Sequence, residues 1–177
     1  PLEKFGATFE PKNRKNLPLF ITGSEMPLAI NHTENIGSAQ VKGLVSYAAL
    51  NTPGLTRIIE KKLSRNHQEI LLKHIGAGIR VKKLKNYNLI SIKGQKEFRA
   101  FNLSIPGDIS SAAFFICLTL LNKNSTMKIK SVGLNPTRTG IIKILKKMNA
   151  RIKITDIKTI CGEKVGNIYV KSSNLKS

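Results

Sequence analysis

Four side chains carry most of the chemistry that the sequence offers: Ser38, Ala39 and Gln40 in "GSAQVK", and Arg65 in "LSRNHQE". Ser38 brings a hydroxyl. Ala39 brings little beyond a backbone N–H, and Gln40 brings a donor and an acceptor on a long neutral arm. Small, uncharged residues at a helix start leave its first N–H groups open at the positive end of the dipole, where a phosphate can approach closely. Arg65 can present a planar fork to the same oxygens. The set suits a phosphorylated polyol, with Gln40 holding a hydroxyl and an ester oxygen at once. Taken singly, each stretch is as readily a polar first turn or a solvated arginine. No nucleophile–base pair accompanies them.

The remaining candidates point to packing rather than chemistry. His67 and His74 share a helical stretch but have neither a partner carboxylate nor a zinc-like spacing. Asp108, followed by Ser110 and Ser111, reads as a helix cap, and without a second carboxylate it is a poor general acid. Cys117 lies in an apolar run and is expected as a buried thiol, while Cys161 sits beside a glycine in a loop. Two cysteines without paired spacing argue against a disulfide scaffold and a zinc site, and suit a reduced, cytosolic setting. The longest apolar run, "AAFFICLTLL", is half of the roughly 20 residues that cross a bilayer. No secretion signal is visible in these residues.

The 177 residues are 41% hydrophobic, enough for a globular core, and carry a net charge of +20. Such a charge invites a nucleic-acid reading. The lysines, however, are spread through every segment and often alternate with isoleucine, as in "MKIKSV", which is the pattern of solvated strand faces. A basic nucleic-acid-binding module would need basic and aromatic residues on one sheet face, yet aromatics are 6% and scattered. A positive field could also steer small anionic substrates.

The elements that must position the four residues recur along the chain. "LEKFGATFE", "LLKHIGAGIRV" and "LKKMNARIKI" each run from a helix through a Gly/Asn-Ala corner into an alternating strand. The corners Gly6, Gly76 and Asn149 recur about every 70 residues, and both residue types suit a left-handed helix end. Between the later corners the match deepens: a small-residue helix, a turn ("NTPG" or "NKNS"), a strand, and a second helix. Arg65 and Arg138 stand equally far before their corners. In the first helix, Val41, Leu44, Val45, Ala48 and Ala49 form an apolar face. Asn66 with Glu69 predicts a capping box, and Pro136 with Thr137 or Thr139 marks the other second-helix start. The unit reads strand–helix–strand–helix–strand with extra pairing strands such as "NLISIKG" and "GNIYVKS", an α/β (α+β) architecture with internal duplication.

Together, "SAQVKGLVSYAALNTPGLT", "SRNHQE", "PGDISSAAFF" and "VGLNPTRTG" resemble the 5-enolpyruvylshikimate-3-phosphate synthase (3-phosphoshikimate 1-carboxyvinyltransferase) family, in its class II form, over essentially the whole chain. The resemblance implies repeated βαβαββ units of the enolpyruvyl transferase fold, part of one of two similar domains. It places the tail of one unit at 1–20, a second unit at about 17–95, a third at about 96–172, and the start of a crossing to a second domain at 173–177. It implies transfer of the enolpyruvyl group of phosphoenolpyruvate to the 5-hydroxyl of shikimate 3-phosphate, releasing phosphate, on the route to chorismate and the aromatic amino acids. No cofactor or metal is implied; nor is a nucleic-acid or membrane partner. The partners implied are the two substrates and the second domain of the same enzyme, in a cytoplasmic monomer.

Carried over by motif, Ser38, Ala39, Gln40 and Arg65 match shikimate 3-phosphate ligands, and Gln40 also matches a phosphoenolpyruvate contact. Asn66 stands where the family has an acid and Gln68 where it has threonine. "PGDISSA" and "NPTRTG" are expected to hold helix starts. The family's catalytic groups have no counterpart among these residues, so the chain is expected to be cut from something longer and inactive alone. The sister transferase acting on UDP-N-acetylglucosamine shares this fold and donor but differs at the "SAQ" and "NPTRTG" positions.

Overall fold

The computed structural model describes residues 1–11, 16–98 and 100–176. Residues 12–15 of the expected leading tail and Ser177 of the expected crossing lie outside the described residues. The chain divides into two compact units, Pro1–Ala100 and Phe101–Ser177.

In the first unit, helix α1 (Leu2–Phe5) leads into strand β1 (Thr8–Glu10), which pairs with β2 (Phe20–Thr22) in a small antiparallel sheet. Then follow β3 (Asn31–Glu34), α2 (Ala39–Asn51), β4 (Leu55–Glu60), α3 (His67–His74), β5 (Ile79–Lys83) and β6 (Asn88–Lys93). The sheet order is β3-β4-β6-β5, with β3 parallel to β4 and β6 antiparallel to both of its neighbours. Alternation along β4 sends Thr56, Ile58 and Glu60 to the helix side and leaves Leu55 and Arg57 exposed. Val45, Ala49, Ile58, Leu72, Ile90 and Ile92 close the core. Burying an aliphatic side chain of this size contributes about 1.5–3 kcal/mol.

The second unit repeats the plan with α4 (Ile109–Leu121), β7 (Thr126–Gly133), α5 (Gly140–Lys147), β8 (Arg151–Ile160) and β9 (Glu163–Lys171), in sheet order β7-β9-β8. Its apolar core is built on Ile109, Ile116, Leu120, Val132, Ile142, Leu145, Ile168 and Val170, with Thr119 and Asn135 as its buried polar residues among those described. Cys117 packs partly buried against this core, and Cys161 with Gly162 forms the two-residue β8–β9 turn, both at positive φ as a tight hairpin demands. Both strands beside β9 bulge at one height. The register shifts between Ile129 and Val132 and between Thr155 and Lys158, and Ser131 and Asp156 take left-handed φ values of 53° and 51°. Asn167 of β9 serves both bulges: its Oδ1 accepts from Ser131 N–H at 2.9 Å, and its Nδ2 donates to the Asp156 carboxylate at 2.5 Å.

The three corners behave as the sequence predicts. Gly6, Gly76 and Asn149 all lie in the left-handed region, at φ 104°, 77° and 68°, and each turns a helix into a strand.

Several expectations are corrected. Among the described residues the third repeat has no first strand; it shrinks to one parallel bridge, Gly107 to Val132, after Pro106, which cannot donate to a ladder. The buried stripe of α2 is Lys42, Val45, Ser46 and Ala49, one step round from the expected face, and leaves Leu44 exposed. Asn66 makes no side-chain cap on α3; its backbone, at φ −116° and ψ 20°, is not extended, and Glu69 is drawn inward instead. Thr139 occupies the cap position of α5 without a side-chain bond, and Asn135 takes up Thr137 N–H and Oγ at 2.8 and 2.6 Å.

Candidate functional site

Strands β3 and β4 are parallel and in register from Asn31 opposite Arg57 to Glu34 opposite Glu60. They therefore end at the same edge of the sheet. The loop after Glu34 leads to Ser38 and α2, and the loop after Glu60 leads to Arg65 and α3. The two loops abut, since a Cβ added to Gly37 would lie 3.0 Å from Lys62 Cγ. Gly37 also holds φ 78°, where a side chain is strained. The topology thus brings the Ser38–Gln40 turn and the Arg65 loop to one edge.

Each loop is anchored by the buried carboxylate that ends its strand. Glu34 Oε1 accepts from the amides of Ile36 at 2.8 Å, Gly37 at 3.1 Å and Ser38 at 3.5 Å. Burial would raise the pKa of Glu34, but these amides and the His32 ring outweigh it and hold the carboxyl below its ordinary value. Ser38 is the N-cap of α2, its Oγ accepting from Val41 N–H at 3.2 Å. The Ser38 amide is thus already turned toward Glu34. The amides of Ala39 and Gln40 have no partner among the described residues, and the first turn of α2 holds no acid. Gln40 is exposed, with Oε1 3.5 Å from Ser38 Oγ.

Glu60 anchors the second loop. Its Oε1 accepts from Ser64 N–H at 3.1 Å and Ser64 Oγ at 2.8 Å, and its Oε2 accepts from Asn88 Nδ2 at 3.0 Å. Lys42, only 1% exposed, completes the arrangement, with Nζ 2.7 Å from Glu60 and 2.5 Å from Glu69. Burial would raise the pKa of Glu60, but Lys42, Ser64 and Asn88 more than offset it and keep it ionised. Gln68 donates to the Gly43 carbonyl at 3.2 Å, tying α3 to α2. Arg65, half-buried, has no hydrogen bond or ion pair with any described residue. The Lys42–Glu60 pair escapes a sequence reading because the two lie 18 residues apart and lysine is everywhere in this chain.

The equivalent edge of the second unit is filled by its own side chains. Asp108 caps α4, accepting from the amides of Ser110 and Ser111 at 3.2 and 3.3 Å. Arg138 donates to Asp108 at 2.7 Å and to Ser110 Oγ at 2.5 Å. The Ser110 amide foremost, with Arg138 and Ser111 adding to it, holds the Asp108 carboxyl below its ordinary range. "PGDISSA" and "NPTRTG" thus fix helix starts, as expected. His67 and His74 lie at the two ends of α3. No three His, Cys, Asp or Glu side chains gather as a metal site among the described residues, and no helix among them is long and apolar enough to cross a membrane.

Comparison with known proteins matches residues 1–177 to the family model described as EPSP synthase (3-phosphoshikimate 1-carboxyvinyltransferase). The 3-phosphoshikimate 1-carboxyvinyltransferase of Petrotoga mobilis is 44% identical over 178 residues, covering 99% of this chain and 40% of the relative. That of Zymomonas mobilis is 38% identical over 177 residues, covering 100% and 39%. The solved EPSP synthase of Acinetobacter baumannii superposes with a TM-score of 0.82 at 34% identity, over 98% of this chain and 38% of that one. The chain spans about 40% of the length of the curated relatives that it matches.

Proposed function

This chain belongs to the EPSP synthase (3-phosphoshikimate 1-carboxyvinyltransferase) family, and on that premise we propose that it supplies the shikimate 3-phosphate half-site of an enolpyruvyl transferase. In the complete enzyme, the enolpyruvyl group of phosphoenolpyruvate passes to the 5-hydroxyl of shikimate 3-phosphate and inorganic phosphate leaves. Ser38, Ala39, Gln40 and Arg65 hold the phosphorylated ring, and Gln40 also reaches phosphoenolpyruvate. The contribution of these residues is position and charge: fixed N–H dipoles and a guanidinium set a dianion in one orientation before the second substrate arrives. Proton-transfer groups belong to a second domain of the same cytoplasmic, monomeric enzyme. The chain is then the later part of its first domain, with boundaries near residues 17, 96 and 172. Helix α4 supports that reading, because it packs one side into its unit yet exposes Phe114, Phe115, Leu118 and Leu121. A helix apolar all round is built to be covered on both sides.

One observation carries the proposal. The amides of Ala39 and Gln40 and the guanidinium of Arg65, without partners among the described residues, share one sheet edge on abutting loops. The test is calorimetric titration of the enzyme carrying this chain with shikimate 3-phosphate and with unphosphorylated shikimate. Much tighter binding of the phosphorylated ligand is expected, while equal affinity would remove the phosphate from this edge. Gln40→Ala is expected to raise KM for both substrates, and a change in thermal stability alone would reduce Gln40 to a structural residue.

A further inference from the structure

The ion cluster under this edge has no counterpart among the described residues of the second unit, although both units share one register. Lys42 lies four residues after the cap Ser38; four after the cap Asp108 is Ala112, in the apolar core. Glu69 lies four after Arg65; four after Arg138 is Ile142, also in that core. Glu60 precedes Arg65 by five, as Gly133 precedes Arg138, and the cross-strand partners of these two are Asn88 and Val165. One scaffold therefore closes the same positions with Ala112, Gly133, Ile142 and Val165. Burying a lysine with two carboxylates is not needed to make this fold, and such clusters commonly give no more stability than apolar replacements.

What the cluster holds is particular. Glu60 grips Ser64, the residue before Arg65, through both its amide and its hydroxyl. Lys42 lies in the first turn of α2, its own amide donating to the Ser38 carbonyl at 3.1 Å. Glu69 lies in the first turn of α3, just after the Arg65 loop. Lys42 Nζ joins all three segments. Without that ammonium, two buried carboxylates would stand four and five residues from Arg65 and compete with a ligand for its guanidinium.

We propose that Lys42, Glu60 and Glu69 are positioning residues that set the Arg65 loop against the first turn of α2, so that the guanidinium and the Ala39 and Gln40 amides address one phosphate group. This inference rests on the phosphate-site reading above. None of the three touches the ligand; they act through Arg65 and Ser64.

The test uses the complete enzyme carrying this chain, titrated with shikimate 3-phosphate and with shikimate. Lys42→Met strands two carboxylates and can unfold the unit, so milder variants decide the question. Glu60→Gln leaves Lys42 and Glu69 as a balanced pair, and Ser64→Ala removes one hydroxyl. Each is expected to weaken shikimate 3-phosphate by about tenfold, the scale of a charged hydrogen bond, and to leave shikimate affinity unchanged. In an Arg65→Ala background neither should cost anything further. Equal loss for both ligands, or full loss persisting without Arg65, overturns the positioning role. So does an unchanged affinity in both variants while Arg65→Ala still weakens binding. If Arg65→Ala itself changes nothing and the parent does not prefer the phosphorylated ligand, the phosphate-site reading falls, and this inference with it.

Discussion

The two units answer the same structural problem in opposite ways. Each has a 13-residue helix whose first turn meets a loop bearing an arginine. In the second unit the cap is Asp108, and its carboxylate satisfies the first amides and captures Arg138, so the edge is complete in itself. In the first unit the cap is neutral Ser38, two amides stay open, and Arg65 has no partner among the described residues. Beneath each edge the contrast reverses. The second unit ties its arginine loop with one buried amide, Asn135, bonded to Thr137 and Glu163, whereas the first uses a buried lysine and two carboxylates there. Duplication supplies the frame, and on the proposed reading one helix end left open turns that frame into a site.

The largest expected effect tests the buried half of that contrast. Lys42→Met is expected to destabilise the first unit by about 3–5 kcal/mol, the cost of leaving buried charge uncompensated. Thermal or urea unfolding should show that loss in the first unit while the second unit melts unchanged. A shift below about 1 kcal/mol would mean that Glu60 and Glu69 find other partners or protons.

The exposed half is tested by the arginines. Arg65→Ala is expected to weaken shikimate 3-phosphate binding by about 1.5–3 kcal/mol, the worth of a charged hydrogen bond. Arg138→Ala should leave that affinity unchanged and lower only the unfolding midpoint, slightly, because its carboxylate partner is exposed. Equal effects of the two on affinity would erase the distinction between open and filled edges.

Acid gives the smallest and most graded effect. The folded-state pKa values of Glu34 and Glu60 lie below the ordinary 4.5. Their contribution is therefore fully present above pH 4.5 and is lost as pH falls through the lower folded values. The first unit should hold its stability from neutral pH down to about 4.5 and then decline. Glu34→Gln with Glu60→Gln should flatten that decline, and an unchanged acid profile would show that neither carboxylate governs it.

Much of the frame was legible from local chemistry. The corners at Gly6, Gly76 and Asn149 could be read because a left-handed residue leaves a local signature, and the Asp108 cap because its partners are two and three residues away. The Ser38–Gln40 turn was legible for the same reason. The anchoring of these loops was not. Lys42 meets Glu60 and Glu69 only once the sheet has formed, and among so many solvated lysines nothing marks it as buried. The Asn66–Glu69 pattern misled because local spacing suggested a cap while tertiary packing recruited Glu69 to Lys42. The lost first strand of the last repeat was hidden because "LSIPGD" still carries the apolar residues of a strand, even as Pro106 interrupts its donors.

The paired bulges around Asn167 make the three-stranded sheet behave as two panels joined at a single crease. Slipping one flanking strand by a residue would turn its inward side chains outward, and here neither flank can slip alone, because one amide latches both. Replacing that amide would free both edges together, so a change in the middle of β9 would be felt at the sheet's two outer strands.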